Sequence, residues 1–273
     1  MGEFPCFQSV ISIDLGWSPE NMTRTAAAYY RQGHDVWWSS PPGPDKRVHV
    51  CDLVAPFKDE ATLVLLDIPV YGTEGLGPDN PFRPLDRVLL RCGVSLYPTI
   101  RAGSHGPELA TSILGLSDNF TVIESYPSPV YRFMWMACDH AGLLEGGLSR
   151  IRDFSSWKKT HAPNPKRGRL TEKREKLARQ VEVIGRFLPG DFTSLVPGPE
   201  NSYRDIAALT DVCDALVALR VGMEIARGSP WVLEARVEGH RGMIPLLADL
   251  TLKEIWDDAL ARFQAGQSLR GRG

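Results

Sequence analysis

The 273-residue chain has no CxxC pair and no Cys/His grouping with metal-ligand spacing. Its five cysteines (Cys6, Cys51, Cys92, Cys138 and Cys213) are scattered and odd in number. That excludes a disulfide scaffold and a zinc site of the usual kind and favours a reduced, cytoplasmic setting. The six histidines are scattered too, so no imidazole set competes for a metal. No basic-then-apolar leader opens the sequence, and no apolar run approaches the roughly 20 residues that span a bilayer, so no membrane partner is expected. Basic excess is missing as well. With a formal net charge of -2, binding to nucleic acid would have to rest on a local patch rather than on overall attraction. There is no internal repeat.

What is present is enough apolar material for one large domain, with strands early and helices interleaved later, which implies an α/β fold. "FQSVISIDLGW" carries a short β-rich run that stops at Asp14. "TRTAAAYYRQGHDVWWSS" reads as a hairpin about Gln32-Gly33-His34-Asp35, and "VHVCDLVAPF" fits either a strand or a short helix. "ATLVLLDIPV" is a continuous apolar run, the mark of a central strand covered on both faces; it ends at Asp67 with Pro69 just beyond. "PFRPLDRVLLRCG" and "GPELATSILGL" read as helices, "NFTVIESYP" as a strand with Glu124 near its end, and "PVYRFMWMACDHAGLL" as helical. "TEKREKLARQVEVIGRFL" is amphipathic, with Leu177, Val181, Ile184 and Leu188 on one side. The chain divides into one domain over residues 1–264, with a basic helical insertion at about 157–190, and a loose tail over 265–273.

The acids carry the chemistry. Asp14 alone fits a turn-forming aspartate close to a glycine. Asp67 is less ordinary, because a buried strand feeds straight into a carboxylate that costs several kcal/mol if left unpaired. The sharpest pair is Asp211 and Asp214 in "TDVCDALVALRVG". Ser202-Tyr203-Arg204-Asp205 upstream has the form of a capping box, which puts both aspartates inside the helix rather than at its cap. Residues three apart are about 60° apart around the axis, so the two carboxylates face the same way and repel unless a cation lies between them. Two strand-end acids with two on a helix face make an all-oxygen donor set suited to Mg²⁺ or Mn²⁺.

Acids in this order resemble the RNase H-like superfamily, particularly its RuvC-like branch. More closely, "IDLGWSP", "LLDIPV", "RPLDRVLLRCGVSLYPT", "VIESYPSPVYR" and "TDVCDALVALRVG" resemble, in content and order, the RNase H-like nucleases classed as domain of unknown function 429. The likeness extends from the start to about residue 228. It implies a five-stranded mixed sheet of order 3-2-1-4-5 flanked by helices, with Asp14, Asp67, Asp211 and Asp214 as catalytic and metal-binding residues. Glu124 would be a further site residue. Arg83, Asp86 and Arg87 resemble the family's arginine/aspartate motif, although Leu85 stands where many members have cysteine. The chemistry implied is metal-assisted phosphodiester hydrolysis of DNA or RNA, with one or two ions (two would stand about 3.5–4 Å apart) and no side-chain nucleophile.

Substrate contact would fall to "WKKTHAPNPKRGRLTEKR", where Lys158, Lys159, Lys166, Arg167 and Arg169 could meet phosphates and Trp157 a base, although a solvated loop before a charged helix explains the same residues. Arg101 and His105 are placed near the site by neither pattern nor spacing. Two rival readings stand beside the nuclease. One is a non-catalytic RNase H-like scaffold that binds nucleic acid or a protein. The other is an ASKHA-type phosphotransferase, for which Asp14-Leu-Gly-Trp-Ser resembles a first phosphate loop but no second loop or adenosine motif follows.

Overall fold

A computed structural model describes residues 6–15, 25–39, 49–94, 105–139, 162–240 and 242–270. Five strands form one mixed sheet in the order β3-β2-β1-β4-β5: β1 is Ser9–Asp14, β2 Ala26–Arg31, β3 Trp37–Ser39, β4 Thr62–Leu66 and β5 Phe120–Glu124. β1–β2 and β2–β3 are antiparallel; β1–β4 and β4–β5 are parallel. The expected hairpin is the β2–β3 unit, turned at Gly33 with φ +83°. The order of the strands is the one expected.

Alternation along the strands splits the core in two. Val10, Ala26, Ala28, Leu63, Leu65 and Ile123 face one layer of helices. Ile11, Ile13, Ala27, Val64, Leu66 and Val122 face the other. The second layer holds α1 (Val50–Val54), which resolves the ambiguous "VHVCDLVAPF" as a helix, and part of α3 (His105–Leu114). The first layer holds α2 (Pro84–Arg91), α4 (Pro127–Asp139), α5 (Leu170–Phe187) and α6 (Tyr203–Ala226). α6 is buried on nearly every side because the sheet lies beneath it and α4 and α5 beside it, which explains its all-round apolar sequence. Its start is fixed as expected: Ser202 Oγ accepts from the Asp205 N–H, and Asp205 Oδ2 accepts from the Ser202 N–H at 2.7 Å.

α6 approaches the sheet closely at one point. A Cβ on Gly222 would lie 2.4 Å from Val10 Cγ1 and 2.5 Å from Leu65 Cδ1. From Val10 to Asp14 is four strand residues, about 13 Å, and from Gly222 back to Asp214 is eight helical residues, about 12 Å. The contact at Gly222 thus sets the height at which the helix carries its acids.

Residues 231–247, which have no clear element in the sequence, form an antiparallel pair of strands, β6 (Val232–Ala235) and β7 (Ile244–Leu247). α7 (Leu250–Arg270) then buries Leu252, Trp256, Ala259 and Phe263 against the first layer. It runs past Gln264, where a loose tail was expected; residues 271–273 lie outside the described residues. Among the described residues no helix is long and apolar enough to cross a membrane.

Candidate active site

Register places the first two acids. Ile13 pairs with Leu66, and the Asp67 N–H donates to the Ile13 carbonyl at 3.0 Å. Asp14 and Asp67 are therefore the next residues on neighbouring parallel strands, and both leave the sheet on the face that α6 covers. Their carboxyl groups are close enough to act on each other electrostatically. Burial raises the pKa of Asp14 well above the carboxylate range, and the charge of Asp67 raises it further. Burial likewise pushes Asp67 up to about 7, against the opposing pull of Lys166.

α6 brings the other pair. Asp211 is buried, and Asp214 is 16 % exposed; both act electrostatically on Asp14. The four acids singled out in the sequence are thus neighbours in space. They do not, however, close into a cage: among the described residues no group of three or more acidic, histidine or cysteine side chains is poised around a single ion. Asp214 is taken by two groups from elsewhere. Lys166 Nζ stands 2.7 Å from Asp214 Oδ2, and Gln180 Nε2 donates to Asp214 Oδ1 at 3.2 Å. The charges of Asp214, first, and of Asp14 hold the Lys166 ammonium firmly protonated. The donors the four acids offer are all oxygens, the type a hard cation takes.

Lys166 was expected to meet phosphates, and the structure turns it toward the carboxylates. Arg167 and Arg169 lie exposed beside it, at the turn into α5. Trp157, Lys158, Lys159 and Arg101 lie outside the described residues. Gln180 was not singled out, although a signal existed. It sits on the apolar stripe of α5 between Leu177 and Ile184, and it is 1 % exposed.

Arg83, Asp86 and Glu124 form a second, separate cluster with no opening to solvent. Glu124 pairs with Leu66, so it leaves the sheet one residue out of phase with Asp67. Arg83, 2 % exposed, donates from Nε to Asp86 Oδ2 at 3.0 Å, from Nη2 to Asp86 Oδ1 at 2.8 Å and from Nη1 to Glu124 Oε2 at 2.7 Å. A second bond joins Arg83 Nη2 to Glu124 Oε1, and Nη1 also reaches the Tyr71 carbonyl at 2.8 Å. Glu124 Oε2 accepts from the Val70 N–H at 3.2 Å. This network ties the end of β5 and the start of α2 to the loop that leaves Asp67; Glu124 braces the site rather than lining it. Arg87 is exposed on the other side of α2's first turn and bonds Asn80. His105 begins α3, whose next residue, Gly106, lies so close to the Pro69 carbonyl that a Cβ would overlap it.

No family model matches the chain, and neither a curated protein nor a solved structure does.

Proposed function

We propose that the chain is a metal-dependent nuclease with an RNase H-like fold, hydrolysing phosphodiester bonds in DNA or RNA. The observation that carries this reading is the pairing of Asp14 with Asp67 on adjacent parallel strands, roofed by Asp211 and Asp214 from one helix. A sheet of order 3-2-1-4-5 with an acid at the end of each central parallel strand supports it. Asp14 and Asp67 would hold Mg²⁺ or Mn²⁺, with Asp214 and Asp211 on the helix side. The ion would supply an activated water and neutralise charge on the leaving oxygen.

The chain's own residues account for the rest. Asp14 and Asp67, at the ends of neighbouring parallel strands, would be the ligands from the sheet. Burial under α6 excludes bulk water and strengthens each charge. Lys166, Arg167 and Arg169, on one short stretch, offer positive charge to a phosphate backbone approaching the carboxylates. A scaffold that binds without cutting is favoured by a different observation, the neutralisation of Asp214 by Lys166. One experiment separates the two. The protein is incubated with Mg²⁺ or Mn²⁺ and single-stranded, duplex, hybrid and branched nucleic acids, beside Asp14→Asn and Asp214→Asn variants. The nuclease reading expects cleavage that falls at least about 100-fold in both variants. Cleavage that survives both substitutions, or binding without cleavage of any substrate, rejects it.

A further inference from the structure

We propose that Lys166 is a built-in cation of the site: its ammonium takes the position beside Asp214, so the native protein binds one divalent ion, on the Asp14–Asp67 side. The inference rests on the metal-nuclease reading and specifies its ion count.

The loop that carries Lys166 is constructed to hold it there. Pro165 is buried immediately before it. The Lys166 N–H donates to Asn164 Oδ1 at 2.9 Å, closing a turn that the Arg167 N–H makes to the Asn164 carbonyl. From α5, Lys173 Nζ donates to the Lys166 carbonyl at 3.0 Å and Lys176 Nζ to the Arg167 carbonyl at 2.9 Å. Gly168, at φ +111°, then turns the chain into the helix. Two lysines of α5 thus hold the backbone of this loop, one at Lys166 and one at Arg167, which is more than a solvated loop requires.

Both oxygens of Asp214 are engaged, one by Lys166 and one by Gln180. An ion entering on that side would have to displace an ammonium 2.7 Å away and a buried amide, which leaves the Asp14–Asp67 side for it. Gln180 gives a second indication of a ligand. Its side chain is buried and directed at the cluster, yet its Oε1 has no hydrogen-bond partner among the described residues. That oxygen is a buried acceptor on a side chain whose amide already holds Asp214. The Lys166 side chain is 52 % exposed, so a substrate phosphate could reach it. It would then be a catalytic residue, placing a fixed positive charge where a second metal would otherwise stand.

The test counts ions. Mn²⁺ is titrated into the full chain by calorimetry, with free Mn²⁺ followed by electron paramagnetic resonance, for the native protein and for Lys166→Met, Lys166→Gln and Lys166→Arg. Folding of each is checked by circular dichroism. One Mn²⁺ per native chain and per Lys166→Arg chain is expected, and two in Lys166→Met or Lys166→Gln, where Asp214 is released. Cleavage at saturating Mn²⁺ should fall about 100-fold or more in Lys166→Met. Two ions in the native protein overturn the inference while leaving the nuclease reading intact. A single ion bound about tenfold more tightly in Lys166→Met also overturns it, since lysine would then only compete with the metal. No Mn²⁺ bound by any form rejects the nuclease reading itself.

Discussion

A carboxyl group whose pKa rises on folding makes the folded state bind its proton more tightly than the unfolded chain does. Asp67 moves from the ordinary 3.8 to about 7, by burial first, and Asp14 moves the same way. The unfolded chain therefore holds fewer protons between about pH 4 and 7, and stability falls as pH rises through that window, with the full penalty present above it. Asp67→Asn removes one of the two acids. In EDTA the variant should melt higher than the native protein at pH 8, by about 2–4 °C for each kcal/mol recovered, and show no gain at pH 4. Melting curves across that range check this; an unchanged melting temperature at pH 8 would mean the pair is not strained. Arg83 poses the opposite case, since two buried carboxylates depend on its one guanidinium. Arg83→Met should lower stability by about 3–5 kcal/mol, and Glu124→Gln by much less, because it removes a charge without stranding one. Urea denaturation measures both, and a loss under about 1 kcal/mol in Arg83→Met would reject the bracing role given to this network.

At the level of elements, Gly222 lets α6 sit down on β1 and β4. Alanine there forces Val10 and Leu65 to give way or lifts the helix, at a cost of about 1–3 kcal/mol. Because Asp214 lies about 12 Å along the same helix, the lift also displaces a site acid. Gly222→Ala should thus lower both the melting temperature and the cleavage expected under the proposed function, whereas a stable variant with native cleavage would show that the contact does not set the helix height. Elements of this kind were legible in the sequence where a local signal was strong. The apolar runs ending at Asp14 and Asp67 marked the central strands, and the Ser202–Asp205 box put Asp211 and Asp214 inside a helix. β6 and β7 were not legible, because four-residue strands with Pro245 in the second leave no alternation to read. The inward turn of Lys166 was equally hidden. It depends on Asp214, far along the chain, and no periodicity links the two. Arg83 and Glu124 showed in the sequence as site residues, but only the out-of-phase register of β5 against β4 separates them from Asp67.

For the molecule as a whole, the matter to decide is whether α5 is an appendage to a smaller domain or part of its core. In the sequence, residues 157–190 read as an insertion. In the structure α5 buries Leu177, Val181, Val183, Ile184 and Phe187 in the same core as α4 and α6, and Trp38 on the edge strand stacks on Phe192 just beyond it at 5.4 Å. Five such side chains, at about 1.5–3 kcal/mol each, amount to roughly 8–15 kcal/mol of burial, comparable to the whole stability of a typical domain. α5 also supplies Gln180, and its first turns fasten the loop that holds Lys166. Replacing Leu170–Phe187 by a short Gly/Ser linker should therefore abolish cooperative unfolding, not yield a smaller active domain. Near-UV circular dichroism and a thermal melt decide it. A sharp transition in the deletion variant would show that the sheet and α6 stand alone. Loss of the transition would show instead that the helix read as an insertion is needed to keep α6, and the acids it carries, over the strand ends.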